Sequence, residues 1–146
     1  ETSLKRFSDE IEKDLTELLM KLLLILKRAE QLNLCFLDTS PSKIGKEINI
    51  LKDKSLKTFE PEAIKNYQEA IVLKEKELLD LNQISKAMEI LESQMLSVIT
   101  ILGTMRTKVI HLNTFDIQKD KGDYSELKSL KNNLLEKLVA MEDVVF

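Results

Sequence analysis

The sequence predicts an all-α protein, an elongated helical bundle or coiled coil of three to four helices built around one long helix over about 61–115. Three observations carry that expectation. Apolar residues recur every three or four positions without a miss at Ile84, Met88, Leu91, Met95, Val98, Leu102, Met105, Val109 and Leu112, which lines them along one stripe of a helix. The 146 residues include three glycines and two prolines, too few turn formers for a fold of many short strands. A chain that is 43% hydrophobic and 32% charged suits a packed core under a charged surface and speaks against disorder.

The first helix is expected over 4–34, where Leu4, Phe7, Ile11, Leu15, Leu18, Leu22, Ile25, Ala29 and Leu32 keep helical spacing. Its middle, Leu18 to Leu26, is apolar except for Lys21. Nine residues fall well short of the roughly 20 that cross a bilayer. The run therefore reads as a helix segment buried on nearly all sides. The joint Asp38-Thr-Ser-Pro-Ser42 follows, with Pro41 or Ser42 suited to open the next helix. That helix, expected over 42–56, carries Ile44, Ile48 and Leu51 on one face. Gly45 in its first turn weakens it by about 1 kcal/mol relative to Ala.

Pro61 and Glu62 mark the start of the long helix, proline at the first helical position and an acid against the helix dipole. Gly103 is the one glycine before Phe115, and no proline follows Pro61 there. As a single rod these residues would span about 80 Å; the alternative breaks are Asp80-Leu-Asn-Gln83 and Gly103. For Gly103 we expect the tight crossing of another helix, which would offset its helical cost. Ile90, Leu96, Ile99, Ile101 and Ile110 lie off the main stripe, so this half should be covered on more than one side. The 61–80 half is poorer, with Lys74 and Glu77 at seam positions, and reads as a thinner, more exposed arm. After a polar joint over 116–123 that includes Gly122, a last helix is expected over 124–145. Leu127, Leu130, Leu134, Leu138, Met141 and Val145 form its stripe, and Asp123 with Glu126 has capping-box spacing. It should fold back antiparallel over the second half of the long helix, with the first helix as third wall. All four helices are expected to form one helical domain over 1–146, a piece of a larger protein because the chain starts at Glu1 without Met.

No catalytic constellation emerges. His111, the single histidine, would have to be the base of any Ser/His/Asp triad; flanked by Ile110 and Leu112, it reads as structural. Cys35 is the single cysteine. It allows no intrachain disulfide and no cysteine zinc site, fits an intracellular, cytoplasmic setting, and reads as a small buried hydrophobe. Glu77 with Asp80, and Glu89 with Glu92, each place two acids a helical turn apart. All-α nucleotide pyrophosphohydrolases hold Mg²⁺ between such pairs, but here both pairs fall on one helix and converge only if it turns near 81–85. A solvated charged face is the expected reading. Phosphate-cradling glycine loops are absent. We expect no metal and no cofactor.

A net charge of −3 with mixed signs along the chain gives no basic stripe, so nucleic acid is not an expected partner. The expectation is a non-enzymatic protein–protein interaction or scaffold module whose partner is another protein or a second copy of itself. Interface candidates are the apolar and small positions an intrachain bundle leaves over: Leu96, Ile99, Gly103 and Ile110, with Ile64 and Ile71 on the thinner arm. Two alternatives stand beside it. One is a membrane-surface or membrane-remodelling helical protein, which the layout of two long helices joined by a short elbow resembles in outline alone. The other is a Mg-dependent nucleotide pyrophosphohydrolase using the carboxylate pairs.

Overall fold

The computed structural model describes the backbone of residues 2–114 and 121–146, and the side chains of residues 6, 9–111 and 124–146. Among the described residues every element is an α-helix: α1 (Thr2–Asp38), α2 (Pro41–Lys57), α3 (Pro61–Thr114) and α4 (Lys121–Val145). The side chains of Leu4, Phe7, Leu112, Gly122 and Asp123, and most of the predicted joint over 116–123, lie outside the described residues.

The helix ends follow local chemistry. α1 runs four residues past the predicted end at 34, because nothing from Cys35 to Asp38 breaks a helix. It stops where Pro41 disfavours helical backbone in the residue before it; Ser40 is extended, with φ −132° and ψ 155°. Ser40 then caps α2, its Oγ accepting from the Lys43 amide at 3.2 Å, and Pro41 takes the first helical position. Thr39 Oγ1 donates to the Cys35 carbonyl at 3.1 Å and satisfies one acceptor at the end of α1. At the other end of α2, Thr58 Oγ1 donates to the Lys54 carbonyl at 2.8 Å, and α3 opens three residues later on Pro61.

α3 is unbroken through both places where a break was considered. Asp80-Leu-Asn-Gln83 contains no glycine or proline, and its Leu81 is buried. At Gly103 the helix continues because Ile101 and Met105 on either side are core residues. The expected tight crossing at Gly103 is not there: a Cβ built on it meets nothing within 4 Å. α4 begins at Lys121 rather than 124. Gly122 and Asp123 therefore belong to the helix, and Asp123 does not occupy the cap position that a capping box requires.

The chain packs as two compact units, residues 1–29 with 90–146, and residues 30–89. The first holds three helical segments. Its core is Leu18, Ile25 and Ala29 of α1, Leu91, Val98, Ile101 and Met105 of α3, and Leu127, Leu134, Leu138, Met141 and Val145 of α4. Asp14 accepts from Lys131 Nζ at 2.7 Å, and the Val145 carbonyl accepts from Arg28 Nε at 3.1 Å. Both pairs are 117 residues apart in sequence, a constant offset that makes α1 and α4 parallel. α3 runs against both: Lys108 pairs with Glu126 near the start of α4, while Val98 and Leu102 share an apolar crevice with Leu134 and Leu138 further along it. The second unit packs α2 against the first half of α3. Ile44, Ile48 and Leu81 form its buried cluster, with Phe36, Ile71 and Leu78 half-buried against them.

Two expectations about burial are corrected. The Leu18–Leu26 run is buried along one side only: Leu18 and Ile25 are core, whereas Leu19, Met20, Leu23, Leu24 and Leu26 are exposed. A helix flanked by two neighbours turns part of its circumference to solvent, and a run apolar at nearly every position has apolar residues on that part. Cys35 is exposed rather than buried; neighbouring residues of a helix point in different directions, and on this turn Phe36 is the one that packs.

Candidate functional site

Reactive side chains do not gather anywhere among the described residues. No group of three or more His, Cys, Asp or Glu side chains is placed to hold a metal there. Glu77, Asp80, Glu89 and Glu92 stand along one uninterrupted helix, so the two acid pairs do not face each other. His111 is half-buried in the last turn of α3. The apolar crevice between Leu15, Leu18, Leu19, Leu22, Val98, Leu102, Leu134 and Leu138 has about 10 Å³ of free space, far below the roughly 300 Å³ or more of a small-molecule pocket. A shallow depression along α4, lined by Ser125, Lys128, Asn132 and Glu136 among others, is one face of one helix. None of the described helices is long and apolar enough to cross a membrane.

What the structure offers instead is surface. On α3 the core stripe has a second stripe beside it: Glu92, Leu96, Ile99, Gly103, Arg106 and Ile110, again at alternating steps of four and three. That is the spacing of a coiled-coil seam, and it faces outward. Leu96 is 66% exposed, Ile99 58% and Ile110 54%. Gly103 and Arg106 are exposed as well. Glu92, also exposed, and Arg106 have no ion-pair partner among the described residues. Scattered single leucines on a surface need no explanation, but a line of them at seam spacing is a feature of interaction surfaces.

α1 adds a second apolar strip in the same unit. Leu19 lines the crevice that Leu102 also lines. Leu23 and Leu26 follow Leu19 on the same side of α1 at four and seven residues, while Ile99 precedes Leu102 by three on α3. Because α1 and α3 are antiparallel and share this crevice, the α1 strip lies alongside the second half of α3. The α1 strip was missed from the sequence, where a run apolar on all sides was read as core. The available signal was its breadth, since a helix in a three-helix packing cannot bury its whole circumference.

The remaining interface candidates are in the second unit and differ from these. Ile71 packs against the Ile44–Ile48–Leu81 cluster and so is part of the intrachain core; Ile64 is half-buried. Exposed apolar residues there are dispersed, with Leu34 and Leu37 on α1, Ile50 on α2, Val72, Leu73 and Leu79 on α3, and Leu56 and Phe59, 84% and 92% exposed, at the α2–α3 turn.

The strongest electrostatic feature lies at Lys74. Its Nζ is 3.0 Å from Glu47 Oε2 and 3.4 Å from Glu77 Oε2. The hydrogen bond to Glu47, and after it that to Glu77, holds the ammonium pKa above its ordinary 10.5. Lys74 bridges α2 to α3 in the same unit as the nearby Lys52–Glu75 pair at 3.2 Å; its role is that of a clamp between helices. Comparison of the chain with protein-family models, with curated proteins and with solved structures finds no match.

Proposed function

We propose that the chain is a non-enzymatic protein–protein interaction or scaffold module that works by letting a partner helix cover the outer stripe of α3, and that it associates with itself. The observation that carries this reading is the second seam itself. A helix already supplied with a core stripe has apolar residues at coiled-coil spacing on its outer side, at Leu96, Ile99 and Ile110. Covering such side chains is favourable by about 25 cal/mol for each Å² of apolar surface removed from water. Sedimentation equilibrium on the purified chain at micromolar concentrations tests the self-association. A concentration-dependent mass above that of the monomer is expected, and a strictly monomeric chain overturns it.

A second reading has one observation in its favour. Leu19, Met20, Leu23 and Leu24 are exposed on α1 beside exposed Lys21 and Lys27, the side-chain mix of a helix lying on an anionic lipid surface. Co-sedimentation with anionic vesicles at low salt decides it: absence of binding removes a membrane-surface role. The nucleotide-hydrolase alternative has no comparable support and is not carried further.

A further inference from the structure

We propose that two copies of the chain dock through the outer stripe of α3, antiparallel about Ile99, with Glu92 of each copy against Arg106 of the other. The inference rests on the self-association reading and names its surface and register. From Glu92 to Arg106 the stripe is self-complementary when reversed. Counting from Ile99, Glu92 lies seven residues before and Arg106 seven after, so a twofold axis through Ile99 sets acid against base at both ends. Leu96, three before, comes over Gly103, four after, and Gly103 has open space where a Cβ would be. A large side chain thus meets a small one on either side of an Ile99–Ile99 contact. Closed twofold interfaces are isologous, the same patch serving both copies, and this pattern has that property.

Parallel pairing of the same stripe does the opposite. It stacks Glu92 on Glu92 and Arg106 on Arg106, each a like-charge contact, and leaves Gly103 against Gly103. Four turns of helix, about 21 Å, separate the two charge contacts.

Three measurements on the full chain by sedimentation equilibrium and cross-linking test the register. Glu92→Arg and Arg106→Glu each create two like-charge contacts across the axis and should weaken self-association about tenfold or more. An equimolar mixture of the two variants restores both opposite-charge contacts in a mixed dimer and should recover the affinity. Ile99→Cys in a Cys35→Ser background should form a disulfide between copies under mild oxidation, whereas Leu73→Cys in that background should not. All substituted positions are exposed, and circular dichroism confirms that the helices are retained. A wild-type chain that associates but ignores both charge reversals and fails to cross-link at residue 99 overturns this surface and leaves self-association standing. A wild-type chain that stays monomeric overturns both.

Discussion

Between Leu91 and Met105, α3 has α1 and α4 packed beside it, and four of its side chains there are buried: Leu91, Val98, Ile101 and Met105. Between Ile64 and Leu79 the same helix has α2 as its main neighbour, and Ile71 and Leu78 are only half-buried there. Across the described residues the first unit buries twelve apolar side chains and the second three, Ile44, Ile48 and Leu81. The difference is geometric as well as compositional. Two helices touch along a line, whereas three enclose a volume, and only an enclosed volume removes whole side chains from water. The second unit compensates with charge: Lys74 bridges to Glu47 and Lys52 to Glu75. Both units leave apolar residues outside, but in different patterns. In the first unit Leu96, Ile99 and Ile110 fall at seam spacing, whereas in the second they are spread from Leu34 and Leu37 through Ile50, Leu56 and Phe59 to Val72, Leu73 and Leu79.

The contrast should break first in the cores. Leu134→Ala empties an enclosed site and should cost about 3–5 kcal/mol. Ile44 is equally buried, yet the thinner unit around it, α2 against α3 with Phe36 of α1, can close on the space, so Ile44→Ala should cost about 2 kcal/mol. Chemical denaturation followed by circular dichroism measures both, and equal losses would refute the thinner core. The same scan should find Phe59→Ser within about 0.5 kcal/mol of wild type, since that ring contributes no buried area.

The ion pairs should differ in the same direction. Asp14 and Lys131 are only 27% and 14% exposed, against 51% and 54% for Glu75 and Lys52. Asp14→Ala leaves a poorly solvated ammonium and should cost about 2 kcal/mol. Glu75→Ala leaves a lysine free to return to water and should cost less than about 1 kcal/mol. Enclosure also has a cost. Gln94 Oε1 is buried without a hydrogen-bond partner among the described residues, and an unsatisfied acceptor of that kind is unfavourable by about 1–3 kcal/mol. Gln94→Met, of similar shape, should therefore raise stability by about 1 kcal/mol. A decrease would mean that the oxygen is bonded to water.

These differences set what could be read in advance. The stripes of α1, α2 and α4 were legible because 3–4 spacing is a property of the chain: Leu18, Ile25, Ile44, Ile48, Leu127, Leu134, Leu138 and Met141 are all core. The poverty of 61–80 was legible for the same reason. Leu96, Ile99 and Ile110 could be named as leftover positions because the core stripe had already used the other side of α3. Exposure at Leu19, Leu23 and Leu24 could not be read. Periodicity identifies a buried side by contrast with a polar one, and the Leu18–Leu26 run offers almost no contrast. Gly103 was misread because a glycine within a helix fits both a crowded crossing and an empty one, and only the surroundings decide. Helix ends moved by up to four residues wherever the stop depended on the absence of a breaker rather than on a cap.

The smallest expected effect is the most specific to the second unit. Glu47 and then Glu77 hold the Lys74 ammonium pKa above 10.5 in the folded chain; in the unfolded chain it returns to the ordinary value. The folded state therefore binds this proton more tightly, and the clamp's stabilisation is fully present below about pH 10.5. It fades as the pH rises through the raised value and the ammonium becomes neutral in the folded chain too. Because other lysines and the tyrosines also titrate in that range, the informative quantity is the gap in Tm between wild type and Lys74→Met, not the Tm itself. That gap should be constant from pH 7 to 9 and should narrow above 10.5. Adding salt at pH 7 should narrow it as well, since the pair is partly solvated and screened. A gap that persists unchanged into alkali would mean that Lys74 contributes through its aliphatic stem packed between α2 and α3, and that the thinner unit is held by apolar contact after all.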